Sequence, residues 1–227
     1  MNLRVPSVFQ ERLSDLREFE ACRIIHKYVG TRGPVLNVGC SWGRDTIFLS
    51  QQGLHVVSLD IDFMDQEYAC GTVWPDSVQG NATKLPFKDA VFASVVMAEC
   101  LEHIVDDHAA IGEVRRVLQP GGRLILTVPR VTGGKHDHVR GYSPLAAKRL
   151  LTRQGLTVKR VILRGGIITW AHIMGPAILK LKLERFRQTI LKVATVVDFC
   201  LGVIQLPLLN RSRYSGCYVV STKKGRL

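Results

Sequence analysis

The sequence lacks a long apolar run behind a basic amino terminus, which argues against a secretory signal and makes a cytoplasmic protein the expectation. It also lacks any Cys-x-x-Cys pair or close cysteine cluster. Cys22, Cys40, Cys70, Cys100, Cys200 and Cys217 are scattered, so they read as reduced, small, buried hydrophobes rather than as zinc ligands or a disulfide framework. No internal repeat and no low-complexity segment interrupts the 227 residues, whose 46% hydrophobic content suits one sizeable core rather than a disordered chain.

Charge is present but lopsided. Residues 1–129 hold 12 Lys and Arg against 16 Asp and Glu, whereas Arg130–Leu227 holds 19 against 3. A basic second half suits an anionic substrate, a membrane surface or nucleic acid. It lacks, however, the interleaved aromatics of a platform that stacks single-stranded bases, so nucleic acid ranks below a small or lipid-like partner.

Apolar residues at helical spacing from Ser7 to Tyr28 predict an amphipathic helix, ended by Gly30 and Gly33-Pro34. A strand follows at Val35–Val38, then a glycine loop, a helix over Asp45–Gln52 and a short buried strand, His55–Leu59, that ends at Asp60. Met64–Cys70 reads as helix, Ser77–Gln79 as a short strand, Ala90–Met97 as a strand and Asp107–Leu118 as a helix. Pro120-Gly121-Gly122 is expected to turn the chain into the buried strand RLILTVP. Ser143 caps a helix to Gln154 with Pro144 at its first position, and strands are expected at Thr157–Leu163 and Gly216–Thr222. Strands alternating with helices across short glycine-marked turns predict an α/β domain with a mainly parallel sheet.

Residues 165–210 break the pattern. Two apolar stretches flank the basic segment KLKLERFRQ, and the second carries Lys192, Asp198, Gln205 and Pro207. A central carboxylate is costly in hydrocarbon, so this insertion is expected to be a helical lid or an interfacial element rather than a membrane span.

The chemistry-bearing stretches are VLNVGCSWGRDT (Val35–Thr46), Asp60 at a strand end, NATKLPFKDAVFASVVMAECLEHI (Asn81–Ile104) and EVRRVLQPGGRLILTVP (Glu113–Pro129). Glycines after a buried strand let backbone approach a ligand, and a carboxylate 21 residues after Gly39 can accept ribose hydroxyls. Together, in this order, the four stretches resemble the class I S-adenosylmethionine-dependent methyltransferases, closely over Gly33–Pro129 and more loosely through HDHVRGYS to Leu163. The resemblance implies a Rossmann-like, doubly wound fold, with helices on both faces of a seven-stranded sheet whose last strand is antiparallel. Residues 1–32 would form a helix packed on the core, 33–164 and 211–227 the cofactor domain, and 165–210 the inserted element.

The resemblance also implies roles. Gly39, Ser41 and Gly43 would line the methionine end of S-adenosylmethionine, with Asn37 at the end of the preceding strand. Asp60 would hold the ribose, Ile61 would pack on the adenine, Asn81 and Ala82 would face the adenine amino group, and Glu99 would stand beside the sulfonium. Four positions depart from the family pattern: Asn37 replaces Asp, Ser41 replaces Gly, Asn81 replaces Asp and Ala93 replaces Asp. These departures leave open a degenerate, non-enzymatic cofactor-binding domain.

Methyl transfer needs alignment, and a base only where the acceptor must lose a proton. His103 and, after the fifth strand, His136, His138 and Tyr142 are the candidates for the acceptor side. Glu99, Glu102 and His103 share the E-x-x-E-H spacing that binds a divalent metal in ubiquinone-pathway O-methyltransferases and, with a further His, in small-RNA 2′-O-methyltransferases; His138 could be that further ligand. The spacing also occurs in members without metal, and no metal is assigned from it. The expected activity is methyl transfer to a small-molecule or lipid-like acceptor, at an anionic membrane surface if the insertion is interfacial. An RNA methyltransferase is the alternative.

Overall fold

The computed structural model describes residues 16–30, 32–63, 76–130, 138–165 and 214–225. The expected helix over 64–70, the insertion at 165–210 beyond Gly165, and His136 lie outside them, as does the first part of the amino-terminal helix.

Helix α1 (Leu16–Tyr28) leads into β1 (Val35–Val38), α2 (Arg44–Gln51), β2 (Val56–Asp60), β3 (Ser77–Gln79) and β4 (Phe92–Ala98). A single 3-10 turn (Leu101–His103) follows, then α3 (Asp107–Val117), β5 (Leu118–Pro129), α4 (Pro144–Arg153), β6 (Leu156–Gly165) and β7 (Tyr214–Lys223). The strands form one sheet in the order β3-β2-β1-β4-β5-β7-β6. All neighbours pair in parallel except β7, which runs antiparallel to both β5 and β6. The seven strands and the lone antiparallel one agree with the expected architecture.

Strand period decides which core each side chain joins. Leu36 and Val38 of β1, Val95 and Met97 of β4, and Leu124 and Leu126 of β5 pack with Ile111 and Val114 of α3 and Leu150 and Leu151 of α4. The alternate residues Val35, Val96 and Ile125 pack with Cys22 and Ile25 of α1 and Phe48 and Leu49 of α2. Helices therefore cover both faces, as a buried parallel sheet requires.

Local signals set the helix ends. The Ser143 hydroxyl accepts from the Ala146 amide with Pro144 at the first helical position, and the Asp106 carboxylate accepts from the Ala109 amide. Pro120-Gly121-Gly122 is a bulge inside β5 rather than a turn before it. Leu118 pairs with Phe92 and Arg123 with Ser94, so the residues between them loop out, Gly121 at φ +78°.

The sequence stretches at residues 85–89 and 113–118 meet in a clamp. The Arg116 guanidinium donates to the Glu113 and Asp89 carboxylates and to the carbonyls of Leu85 and Phe87, all at 2.7–2.9 Å. The Leu85 amide donates to Glu113 Oε2 at 2.8 Å. Two motifs that suggested a cofactor enzyme thus serve here to fasten the loop before β4 onto α3.

Candidate active site

The carboxyl ends of the parallel strands form one rim, and the chain reverses direction across the sheet between β1 and β4, where α/β sheets bind ligands. The loop after β1 is tied to β2 by the Gly39 and Cys40 amides, which both donate to the Leu59 carbonyl. Gly39 adopts φ +71°, and a Cβ there would fall 2.3 Å from Cys100 Sγ. That glycine lets the β1 and β4 loops touch. Gly43, at φ +94°, caps α2 in the left-handed region. Ser41 lies between them at φ +45°, a conformation that disfavours side chains bearing a Cβ.

Asp60, at the end of β2, has each carboxylate oxygen held by a backbone amide: Oδ2 by Ser41 and Oδ1 by Ile61, both at 2.7 Å. Each oxygen keeps a second lone pair for a ribose hydroxyl. Ile61 is 66% exposed beside it, an apolar surface placed for a base to stack on. Ala82 is buried. Asn81 spends Oδ1 on the Thr83 amide and hydroxyl, at 2.9 and 2.8 Å. Its amide nitrogen therefore faces outward as a donor, where an aspartate would offer only acceptors. A fixed carboxylate, an exposed apolar neighbour and a glycine-shaped loop fit the nucleoside and methionine ends of S-adenosylmethionine.

Asn37 sits elsewhere. Strand period turns it toward α2, where it is 1% exposed and Nδ2 donates to Thr46 Oγ1 at 3.0 Å. Thr46 continues the chain to Ser58 Oγ at 2.7 Å, and Asn37 Oδ1 has no partner. Asn37 supports the glycine loop from beneath rather than lining the cofactor's path.

Glu99 opens the β4 loop in a strained backbone at φ +49°. Its amide donates to the Thr127 carbonyl and hydroxyl, the Thr127 hydroxyl donates to Oε1 at 2.9 Å, and Arg164 at the end of β6 pairs with Oε2 at 2.9 Å. The carboxylate expected beside the sulfonium is thus matched by a cation that sequence reasoning missed. No local signal marks Arg164, one of many basic residues in its half, 65 positions from its partner.

On the acceptor side, the structure brings His103 and His138 together. Their ring centroids are 4.6 Å apart at 83°. Glu102, 1% exposed, completes a group with ligand atoms within 4.8 Å of one another, and neither of its carboxylate oxygens has a hydrogen-bond partner. Burial, reinforced by the nearby Glu99 charge, pushes the Glu102 carboxyl up to about 8. His138 is seated by backbone: the Val139 and Arg140 amides donate to the Glu102 carbonyl.

Tyr142 does not face an acceptor. It is 4% exposed and its hydroxyl donates to Asp107 Oδ2 at 2.7 Å; burial and that bond push the phenol well above its usual range. Burial alone would raise the Asp107 carboxyl, but the bonds from Tyr142 and Arg140 outweigh it and hold Asp107 below the usual range. Asp107 and Arg140 therefore join Tyr142 as the brace beneath the histidines.

Four large apolar side chains stand exposed among the described residues: Ile61, Val105 and Val139 in the segments that follow β2, β4 and β5, and Leu145 in the first turn of α4. A cavity of about 1030 Å³ opens at the other edge of the sheet, lined in part by Arg115, Lys148 and Lys224, away from the chemistry. Among the described residues no helix is long and apolar enough to cross a membrane.

Comparison with known proteins agrees with this geometry. The family model of a methyltransferase domain matches residues 36–126. A demethylmenaquinone methyltransferase of Mycolicibacterium paratuberculosis is 34% identical over 98 residues, which cover 43% of this chain and 42% of that protein. The chain spans about half or less of the curated relatives it matches. Among solved structures, a SAM-dependent methyltransferase of Methanosarcina mazei shares the fold at TM-score 0.59 and 17% identity, covering 89% of this chain and 98% of that one. The 1,6-didemethyltoxoflavin-N1-methyltransferase of Burkholderia thailandensis, solved with 1,6-didemethyltoxoflavin and S-adenosylhomocysteine, does so at TM-score 0.61 and 16% identity, over 95% and 82% of the two chains. With the loop, Asp60 and the strand order in place, residues 36–126 are similar to the methyltransferase domain family, and the sheet has the fold of the SAM-dependent methyltransferases it matches.

Proposed function

We propose that the protein transfers a methyl group from S-adenosylmethionine to a small, apolar acceptor of the quinone or lipid-like kind. The single observation that supports this acceptor class is that Val105, Val139 and Leu145, in the segments that follow β4 and β5 at the carboxyl side of the sheet, keep large apolar side chains exposed. The curated relatives named as demethylmenaquinone methyltransferases point the same way.

When bound, the cofactor supplies a methyl on a positively charged sulfur. The chain's own contribution is alignment: Asp60, fixed by two backbone amides, holds the ribose, and Gly39 and Gly43 shape the path toward the β4 loop. His103, exposed beside His138, stands ready to take a proton from an acceptor hydroxyl.

Calorimetry with S-adenosylmethionine and S-adenosylhomocysteine tests the premise, and micromolar binding that Asp60→Ala abolishes is the expected result. Transfer of labelled methyl from S-adenosylmethionine to a lipid extract, and not to total RNA, tests the acceptor class. Label in RNA alone would reverse it.

A second reading, metal-assisted O-methylation, is favoured by one observation: the unpartnered, buried Glu102 carboxylate beside His103 and His138. Two imidazoles and a carboxylate suit a divalent transition ion, which would acidify an acceptor hydroxyl. Metal analysis of protein dialysed against Zn²⁺ or Mn²⁺ tests it; stoichiometric retention lost in His138→Ala would support it, and no retention would remove it.

A further inference from the structure

Glu99 and Arg164 form an ion pair on the rim where β1 and β4 diverge. The Arg164 side chain is mostly covered, 14% exposed, while the Glu99 side chain is half-buried at 36%. Both partners are held by more than each other. Glu99 is fixed by the Thr127 hydroxyl and by its own amide on Thr127, and the Arg164 guanidinium lies 6.0 Å over the Tyr218 ring. Gly216, the β7 residue opposite Arg164, leaves the room this guanidinium needs, since a Cβ there would come within 3.0 Å of it. The next residue after Glu99, Cys100, packs on Gly39 of the cofactor loop. The pair therefore lies at the methionine end of the site.

We propose that Arg164 is a positioning residue that masks the Glu99 charge and thereby sets how strongly the site distinguishes the cationic cofactor from its neutral demethylated product. The inference rests on the methyltransferase reading above. A bare carboxylate at this place would favour a positive sulfur over a neutral one and so bias the site toward the cofactor. With Arg164 on Oε2, the pair is close to neutral, and the preference falls to what shape alone provides. This matters for turnover, because a site that holds cofactor and product with similar affinity depends on their concentrations for exchange.

The test measures binding, not activity. Dissociation constants for S-adenosylmethionine and S-adenosylhomocysteine are measured by calorimetry for the wild type, Arg164→Gln, Arg164→Lys, Glu99→Gln and the double variant Glu99→Gln/Arg164→Gln. Arg164→Gln should raise the preference for the cofactor over the product by about tenfold, and Glu99→Gln, which removes this carboxylate while keeping the cation, should lower it by about tenfold. Arg164→Lys, which keeps the charge, and the double variant, which keeps neutrality, should both return to the wild-type ratio. These shifts should shrink in high salt. A merely structural pair would weaken both ligands together and leave the ratio fixed in all five proteins, which would overturn the proposal. If the wild type binds neither ligand, the methyltransferase reading itself fails and this inference falls with it; a wild type that binds both with an unmoved ratio in the variants leaves that reading standing and removes only the role of Arg164.

Discussion

Tyr142 donates its hydroxyl to Asp107 across 2.7 Å, tying the segment that carries His138 to the first turn of the helix that follows His103. Arg140 closes the same brace, with a 2.6 Å ion pair to Asp107 and a 2.6 Å bond to the Val105 carbonyl. Tyr142→Phe removes one bond to a charged, buried acceptor, so a loss of about 1.5–3 kcal/mol is expected from urea denaturation. The same variant should loosen His138, seen as broadening of its imidazole resonances.

Asp107 and Glu113 give the fold an acid-sensitive margin. Hydrogen bonds from Arg116 hold the Glu113 carboxyl low, and the Tyr142 and Arg140 bonds do so for Asp107 against the opposing effect of burial. At these two carboxyls the folded protein thus binds fewer protons than the unfolded chain, the reverse of the buried Glu102. Their stabilisation is present above the unfolded carboxyl values and is lost as pH falls through the lower folded ones. The contribution of these two groups to the thermal midpoint should therefore fall with acidification below about pH 4, read as the difference between wild type and the Asp107 variant. Asp107→Asn should start lower at neutral pH and show a shallower acid slope.

The Arg116 clamp depends on a planar fork with several donors, which lysine does not provide. Arg116→Lys should cost about 2 kcal/mol by chemical denaturation. Limited proteolysis should then cut the loop around Phe87 first.

Ser41 occupies a left-handed backbone conformation between two glycines that also require one. Ser41→Gly should relieve about 1 kcal/mol of strain, raising the melting temperature. Its amide bond to Asp60 is preserved, so cofactor affinity should rise or stay level by calorimetry. Gly39→Ala should do the reverse, because the added methyl meets Cys100.

Much of this architecture can be read from local chemistry. Ser143-Pro144 announces a helix start, Gly39 and Gly43 announce a sharp turn, and alternation in β1 separates two cores. What escapes such reading is contact between distant segments. Asn37 sits in a motif whose position suggested the ligand, yet its face of the strand is set by the pleat and directs it to Thr46. Tyr142 follows a histidine-rich segment and looks exposed in sequence, but Asp107, 35 residues earlier, draws it inward. Arg164 could not be singled out because its meaning lies in Glu99 and in the antiparallel register of β7. The same holds for the Pro120-Gly121-Gly122 bulge: glycine signals a break, but only pairing with β4 tells a bulge from a turn.

The reversed direction of β7 has a further result. Gly165 at the end of β6 and Tyr214 at the start of β7 are register partners, and both stand at the edge where the parallel strands finish. Those two residues, the last of β6 and the first of β7, are therefore held side by side by the sheet itself. The register at this edge is set by the pairing of β7 with β5 on one side and β6 on the other, independently of the sequence that joins β6 to β7.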